Sequence, residues 1–273
     1  MRRALLVGIN AYPTAPLRGC LADVESVERI LGSRQFDRVD CLRDQEATTA
    51  ALKNALRLLL DELRPGDTAF FSYSGHGAWT RDLDGDEPDG QDEMLVPYDF
   101  AWERPATHFT DDRIARVIAA ANVPAGVRIV LNLDCCHAGT MTRFMYGLRN
   151  YRTFPVPFSL QYAPARTVLG RARAGLGLGL PRRTFGTRVT AQAPGAVLLL
   201  AATRPAELAA DATIAGSFHG AHTYALEQAL AETPSATYRD LKIALGRFMD
   251  INGYAQTPTL YGARALRTTP FLA

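Results

Sequence analysis

Apolar positions along the first half of the chain alternate between two rhythms. Arg3–Gly8 carries a continuous apolar run ending in Gly8-Ile9-Asn10, which predicts a buried strand leading into a loop. Leu21, Val24, Val27, Ile30 and Leu31 then recur at helical spacing, and Arg38–Leu42 predicts a short strand. Leu52, Leu56, Leu59, Leu60 and Leu63 mark a helix over Thr48–Leu63, stopped by Pro65-Gly66. A strand over Asp67–Tyr73 runs into Ser74-Gly75-His76-Gly77. Asp111–Ala121 predicts a helix capped by Thr110 or Asp111, and Val127–Leu133 a strand running into Asp134-Cys135-Cys136-His137. Strands separated by helices of this length imply the α/β class, with a mainly parallel sheet covered on both faces.

Two stretches break this rhythm. Asp82–Glu93 holds seven acidic residues in twelve, with Gly85, Pro88 and Gly90, and predicts a loop. Met141–Pro194 has no Asp or Glu and is rich in arginine, and its centre, Gly170–Pro181, has the composition of an exposed flexible linker. A shorter unit follows: a strand over Ala196–Ala202, helices around Thr223–Ala231 and Tyr238–Asp250, then Pro258-Thr-Leu-Tyr261. It lacks a full core of its own, so it is expected to extend the first sheet. The organisation expected is a single domain over 1–273: a large part over 1–140, an arginine-rich linker over 141–194 and a small part over 195–273 that completes the sheet.

Composition adds little to this picture but removes some classes. The 273 residues are 47% hydrophobic and 21% charged, and the net charge is +2, so nothing global recruits nucleic acid or an acidic membrane. The apolar run Ala4–Ile9 is too short for a signal peptide or a membrane span. The four cysteines, Cys20, Cys41, Cys135 and Cys136, form no paired framework, which points to a reducing cytoplasm.

The candidate chemistry lies at two strand ends. In parallel sheets, ligands gather beyond the carboxyl ends of the strands, and both His76 and Cys136 fall there. A nearby imidazole activates a thiol and later protonates a leaving amine. Glycine-flanked turns at Gly75-His76-Gly77 and Cys136-His137-Ala138-Gly139 free backbone N–H groups to face a developing oxyanion. A buried cysteine beside a strand and a turn histidine are the plainer reading of each residue alone; their joint placement favours a site.

Ser74-Gly75-His76-Gly77 and Asp134-Cys135-Cys136-His137-Ala138-Gly139 resemble the two signature segments of the metacaspases and their prokaryotic relatives, the orthocaspases. Leu5-Leu6-Val7-Gly8-Ile9-Asn10, Leu17-Arg18-Gly19-Cys20 with Asp23, Asp82–Pro97, Thr110-Asp111-Asp112 and Gly220–Leu226 are similar to that family too. The resemblance runs nearly from end to end, the arginine-rich segment being its weak part. It implies a caspase-like fold, a six-stranded, mainly parallel central sheet flanked by helices on both faces. It also implies a cysteine endopeptidase with Cys136 as nucleophile and His76 as base, and protein or peptide substrates.

Cys136 follows His76 by 60 residues, and Asp134 stands where the caspase signature has Gln. The resemblance places Asp134, Asp23 and Ser74 around the pocket for the side chain preceding the cut. Two carboxylates would hold a guanidinium or ammonium by charge-assisted hydrogen bonds, which implies cleavage after Arg or Lys. For Asp23 a solvated charge on a helix face is the other reading. The family's nucleophile directly precedes His-[Ser/Ala]-Gly, which selects Cys136 over Cys135. His137 adjoins the nucleophile, but adjacent side chains on an extended turn point apart. Backbone N–H groups of Gly77 and Cys136 are the candidate oxyanion hole.

Asp82–Glu93 matches an EF-hand register poorly, with Glu87 where Gly is needed and Pro88 next. The resemblance instead implies a calcium site from Asp92, Asp111 and Asp112, calcium being an activator and no cofactor being needed for the chemistry. Arg143 stands where calcium-binding relatives carry another Asp, and Asp111 and Asp112 also suit a helix N-terminus. The arginines of 141–194, which match the implied specificity, and the exposed composition of its Gly-rich centre point to self-cleavage after one or more of Arg166, Arg171, Arg173, Arg182, Arg183 and Arg188, or else to a basic loop that stays intact. The remaining expectations are a monomer, no nucleic-acid or membrane partner, and activation by calcium, cleavage or a separate partner. Competing readings are a catalytically idle caspase-like interaction module and a metal protein built on Cys135, Cys136 and His137. Adjacent cysteines are poorly placed for two corners of one tetrahedron.

Overall fold

The computed structural model of the protein describes residues 1–81, 91–136, 150–154, 188–190, 196–204 and 207–273. Asp82–Asp89, His137–Gly139, Arg143 and the arginines at 166, 171, 173, 182 and 183 lie outside them.

Each long apolar run becomes a strand buried on both sides. In chain order the elements are β1 (Arg2–Gly8), α1 (Cys20–Gly32), β2 (Arg38–Arg43), α2 (Thr49–Leu60), β3 (Thr68–Ser74), β4 (Gly77–Arg81), β5 (Gln91–Leu95), β6 (Phe109–Thr110), α3 (Asp111–Ala120) and β7 (Arg128–Asp134). There follow β8 (Asn150–Tyr151), β9 (Val197–Ala201), β10 (Ala210–Ile214), β11 (Ser217–Gly220), α4 (Ala221–Glu232), α5 (Tyr238–Asn252) and β12 (Thr259–Gly262). The central six-stranded sheet has the order β12-β9-β7-β3-β1-β2. Five strands are parallel, and β12 closes one edge antiparallel to β9.

Alternation along these strands sorts the helices onto the two faces. Leu5, Val7, Phe71, Leu131 and Leu199 pack with Leu52 and Leu56 of α2 and Ile114 and Ile118 of α3. Their neighbours Ala4, Leu6, Phe70, Val130, Leu198 and Leu200 pack with α1, α4 and α5 through Val27, Leu226, Leu241 and Leu245. Each fully buried Leu contributes about 1.5–3 kcal/mol, so both faces must be covered. Thr110 and Thr48 cap α3 and α2 by accepting from Arg113 N–H and Ala51 N–H. Among the described residues no helix is long and apolar enough to cross a membrane.

Two expectations change. The acidic stretch is not loop to its end, because Gln91–Glu93 belong to β5 and pair antiparallel with β4. The arginine-rich stretch, expected as a linker with an exposed centre over Gly170–Pro181, has ordered and buried parts outside that centre. Asn150–Tyr151 pair with β10, and the side chains of Arg152 and Arg188 are 0% and 2% exposed. Burial of a guanidinium needs paired carboxylates, which composition alone does not reveal.

Candidate active site

Register brings the two chemical segments together. Ser74 at the end of β3 is the partner of Asp134 at the end of β7, and of Gly8 at the end of β1. His76 and Cys136 each lie two residues further along these neighbouring strands, so both leave the sheet at the same level. Gly75 N–H donates to the Asp134 carbonyl at 3.4 Å. A Cβ at Gly77 would collide with the carbonyl oxygen of Cys136, so only glycine admits this approach.

His76 is held from several sides. Its backbone N–H donates to Tyr12 Oη at 3.0 Å, and Tyr73 Oη donates to its carbonyl at 2.8 Å. Ring Nε2 stands 2.6 Å from the carbonyl oxygen of Ala15. A carbonyl only accepts, so Nε2 carries the proton, and Nδ1, which makes no hydrogen bond, is the free basic nitrogen. Ala15 itself sits at φ 58°, a conformation unfavourable to a side chain. Burial pushes the His76 imidazole down to about 4, against the pull of the Ala15 and Arg152 carbonyls. Cys136 is 1% exposed, and Ala209 N–H donates to its Sγ at 3.0 Å. Burial pushes that thiol up to about 12. Cys135 faces the core beside Leu133, and burial raises its thiol well above the usual range.

Beside these residues Asp23, Ser74 and Asp134 converge as expected, joined by Asp211. At their centre is the guanidinium of Arg152. Its Nη2 lies 2.7 Å from Asp23 Oδ2 and 3.1 Å from Asp211 Oδ1. Its Nη1 lies 3.3 Å from Asp134 Oδ1, and donates to Ser74 Oγ at 2.5 Å and to the Asp134 carbonyl at 3.1 Å. Backbone donors satisfy the remaining carboxylate oxygens. Gly220 N–H reaches Asp23 at 2.9 Å, Arg18 and Gly19 N–H reach Asp211 at 2.9 Å, and Thr223 N–H at the start of α4 reaches Asp134 at 2.9 Å. Asp134 thus sits at the positive end of a helix. Burial pushes it up to about 6 against the pull of Arg152, and Asp23 adds repulsion. Burial also opposes ionisation of Asp23, but Arg152, His219 and Ser74 outweigh it and hold Asp23 below the usual carboxylate range.

Gly77 N–H, expected in an oxyanion hole, donates to the carbonyl oxygen of Arg152 at 2.9 Å. Sequence reasoning missed Ala15, Tyr12, Asp211 and Arg152. Tyr73, next to Ser74-Gly75-His76-Gly77, carries a hint of the cage around His76. Asp211 comes from a strand of a separate three-stranded sheet, β11-β10-β8, and has no signal of its own in the sequence.

The expected calcium ligands behave differently. Asp111 and Asp112 are ion-paired to Arg188, with Nε 3.2 Å from Asp111 Oδ2 and Nη1 against Asp112 Oδ1. Among the described residues, no three His, Cys, Asp or Glu side chains are grouped so as to hold a metal ion. In this arrangement a guanidinium compensates two of the three expected ligands, Asp111 and Asp112. Arg188 is buried in that contact.

Known proteins are similar to this chain along most of its length. The family described as metacaspase, peptidase C14 domain matches residues 2–145. A metacaspase-1 from Ajellomyces capsulatus is 32% identical over 98% of this chain and 81% of its own length. One from Coccidioides immitis is 33% identical over 98% of this chain, which spans 62% of that relative. A crystal structure of a Geobacter sulfurreducens protein is similar with a TM-score of 0.70 at 28% identity, over 99% of this chain and 98% of that one. Caspase-1 from Spodoptera frugiperda shares the fold at 13% identity, with a TM-score of 0.59 over 98% of this chain and 88% of its own.

Proposed function

Because the chain belongs to the metacaspase family, cysteine-type peptidases of the caspase clan, we propose that it is an endopeptidase cleaving after Arg or Lys through Cys136 and His76. The observation that carries the specificity is the buried triad Asp23, Asp134 and Asp211 around a guanidinium, at 2.7, 3.3 and 3.1 Å. An aspartate there would add a fourth buried negative charge and be rejected.

His76 Nδ1 takes the thiol proton as Cys136 Sγ attacks the carbonyl carbon of the bond to be cut. Negative charge on the carbonyl oxygen is met by Gly77 N–H. The C–N bond breaks, the imidazolium gives its proton to the leaving amine, and a thioester remains on Cys136. His76 then accepts a proton from water, whose oxygen displaces Sγ, and the new carboxylate and the thiol are released.

A panel of fluorogenic peptides ending in Arg, Lys or Asp tests this reading, together with a thiol-reactive arginine probe read by mass spectrometry. Turnover of the basic peptides alone and labelling at Cys136 are expected. Turnover of the Asp peptides, or labelling elsewhere, would contradict it.

A further inference from the structure

A cleft of about 600 Å³ lies at the β12 edge of the central sheet, lined by residues of that strand, of the start of α5 and of a last short helix, α6 (Arg264–Arg267). That size is ordinary for a small-ligand site. Five cations line it, Arg204, Arg239, Lys242, Arg264 and Arg267, and no carboxylate does. Elsewhere on the surface Arg29, Arg38 and Arg43 pair with Glu227, Asp40 and Glu28. Among the described residues none of the five cleft cations is ion-paired, and the side chains of Arg204, Arg239, Lys242 and Arg264 make no hydrogen bond. The acids closest in sequence are committed elsewhere. Asp240 accepts from Thr237 N–H and Oγ1 at 3.0 and 2.7 Å, and Glu207 accepts from Arg204 N–H, Thr257 N–H and Thr257 Oγ1 at 3.0, 2.7 and 3.0 Å. Arg239 and Lys242 stand three residues apart on α5, as Arg264 and Arg267 do on α6, and like charges at that spacing repel. Nothing among the described residues relieves this repulsion, which points to a ligand that does. Arg267 is already oriented for one: its Nε donates to the Gly262 carbonyl at 2.9 Å, which leaves both Nη groups available.

We propose that this cleft binds a phosphate chain, either inorganic or the triphosphate of a nucleotide whose base lies against Tyr261. Guanidinium forks grip phosphate oxygens bidentately, and an ammonium adds a point charge. One carboxylate or one phosphate neutralises too few of the five charges, whereas a chain of phosphates meets them all. Tyr261, half-buried in the same wall, supplies an aromatic face. The site is separate from the peptidase centre, since β9 stands between β12 and β7, the strand that leads to Cys136. A net charge of +2 does not forecast it, because its cations come from three separate segments and meet only in the fold.

Isothermal titration calorimetry on the full chain tests this at about 0.15 M salt, where diffuse surface attraction is screened. The ligands are sodium tripolyphosphate, ATP, adenosine and hexaglutamate, and thermal melts check that each variant folds. Tripolyphosphate and ATP should each bind one per chain, adenosine should not bind, and hexaglutamate should bind about tenfold more weakly or worse. Arg239→Gln combined with Lys242→Gln, both exposed, should weaken tripolyphosphate by about tenfold or more. Lys53→Gln combined with Arg57→Gln removes two exposed cations of α2 and should change nothing. ATP binding more tightly than tripolyphosphate, with the excess lost in Tyr261→Leu, supports a nucleotide; equal affinity supports the phosphate chain alone. Absence of binding by both phosphate ligands overturns the site. An equal loss in the α2 variant overturns it too, since general surface charge then accounts for the binding. Hexaglutamate binding as tightly as tripolyphosphate overturns the phosphate assignment in favour of an acidic peptide.

Discussion

Gly77 N–H donates to the carbonyl oxygen of Arg152 at 2.9 Å, and Gly77 is so close to Cys136 that no side chain fits there. Gly77→Ala should therefore displace the turn carrying both groups. Loss of one oxyanion donor costs roughly 10²–10³ in kcat, and at least that loss is expected. Burst and steady-state kinetics on an arginine peptide check it; an unchanged kcat would remove Gly77 from the oxyanion hole.

The two adjacent cysteines should separate cleanly. Cys136→Ala removes the thiol that Ala209 N–H contacts, and kcat/KM should fall by several orders of magnitude. Cys135 points into the core, so Cys135→Ala should cost on the order of 1 kcal/mol of stability and retain most activity. Thermal melts alongside rates distinguish the two; equal loss of activity in two folded variants would contradict the assignment.

Ala15 should act on the reaction through His76. Its carbonyl fixes the proton on Nε2 from a backbone at φ 58°. Ala15→Val puts a β-branched side chain where the left-handed conformation costs roughly 1–2 kcal/mol, so the carbonyl should move and kcat should fall with the shape of the pH–rate profile altered. Ala15→Gly tolerates that φ and should keep the wild-type profile. A uniform loss with no change in profile would mean Ala15 serves folding alone.

Asp211 is the pocket member that sequence did not reveal. Asp211→Asn should raise KM for arginine peptides at least as much as Asp23→Asn does, since both contact the same guanidinium nitrogen. A buried charged contact is worth about 2–5 kcal/mol, which corresponds to losses of about 30-fold or more. KM measured on Arg and Lys peptides for each variant checks the ranking; an unaffected Asp211→Asn would place that residue outside the pocket.

Asp134 should make substrate binding depend on pH. With the Arg152 guanidinium in place, burial raises its carboxyl to about 6, and an open pocket holds it higher still, so on acidification it takes up a proton and the pocket has one negative charge fewer. KM for arginine peptides should rise as pH falls through the range in which Asp134 takes up its proton, and the rise should vanish in Asp134→Asn. Stability from this one group runs in the opposite direction. The fold favours its protonated form, a contribution present below its ordinary pKa and lost as pH rises through about 6.

The sequence by itself determined the layered α/β fold and the two chemical segments, because both are local. Short continuous runs such as Leu5-Leu6-Val7, bounded by turn residues, fit strands covered on both faces, and the turns at His76 and Cys136 directly follow two further strands, β3 and β7. Helix ends differ by a few residues, as at Thr49–Leu60, where fraying and caps decide. Tertiary structure alone decided the rest of the site. The Ser74–Asp134 register sets His76 beside Cys136, and Asp211, Ala15 and Arg152 arrive from segments distant in sequence. Arg152 is one of many arginines in a run with no acidic residue, and nothing local marks it. Its position follows from three buried carboxylates supplied by α1, β7 and β10, which leave a guanidinium as the group best able to satisfy them.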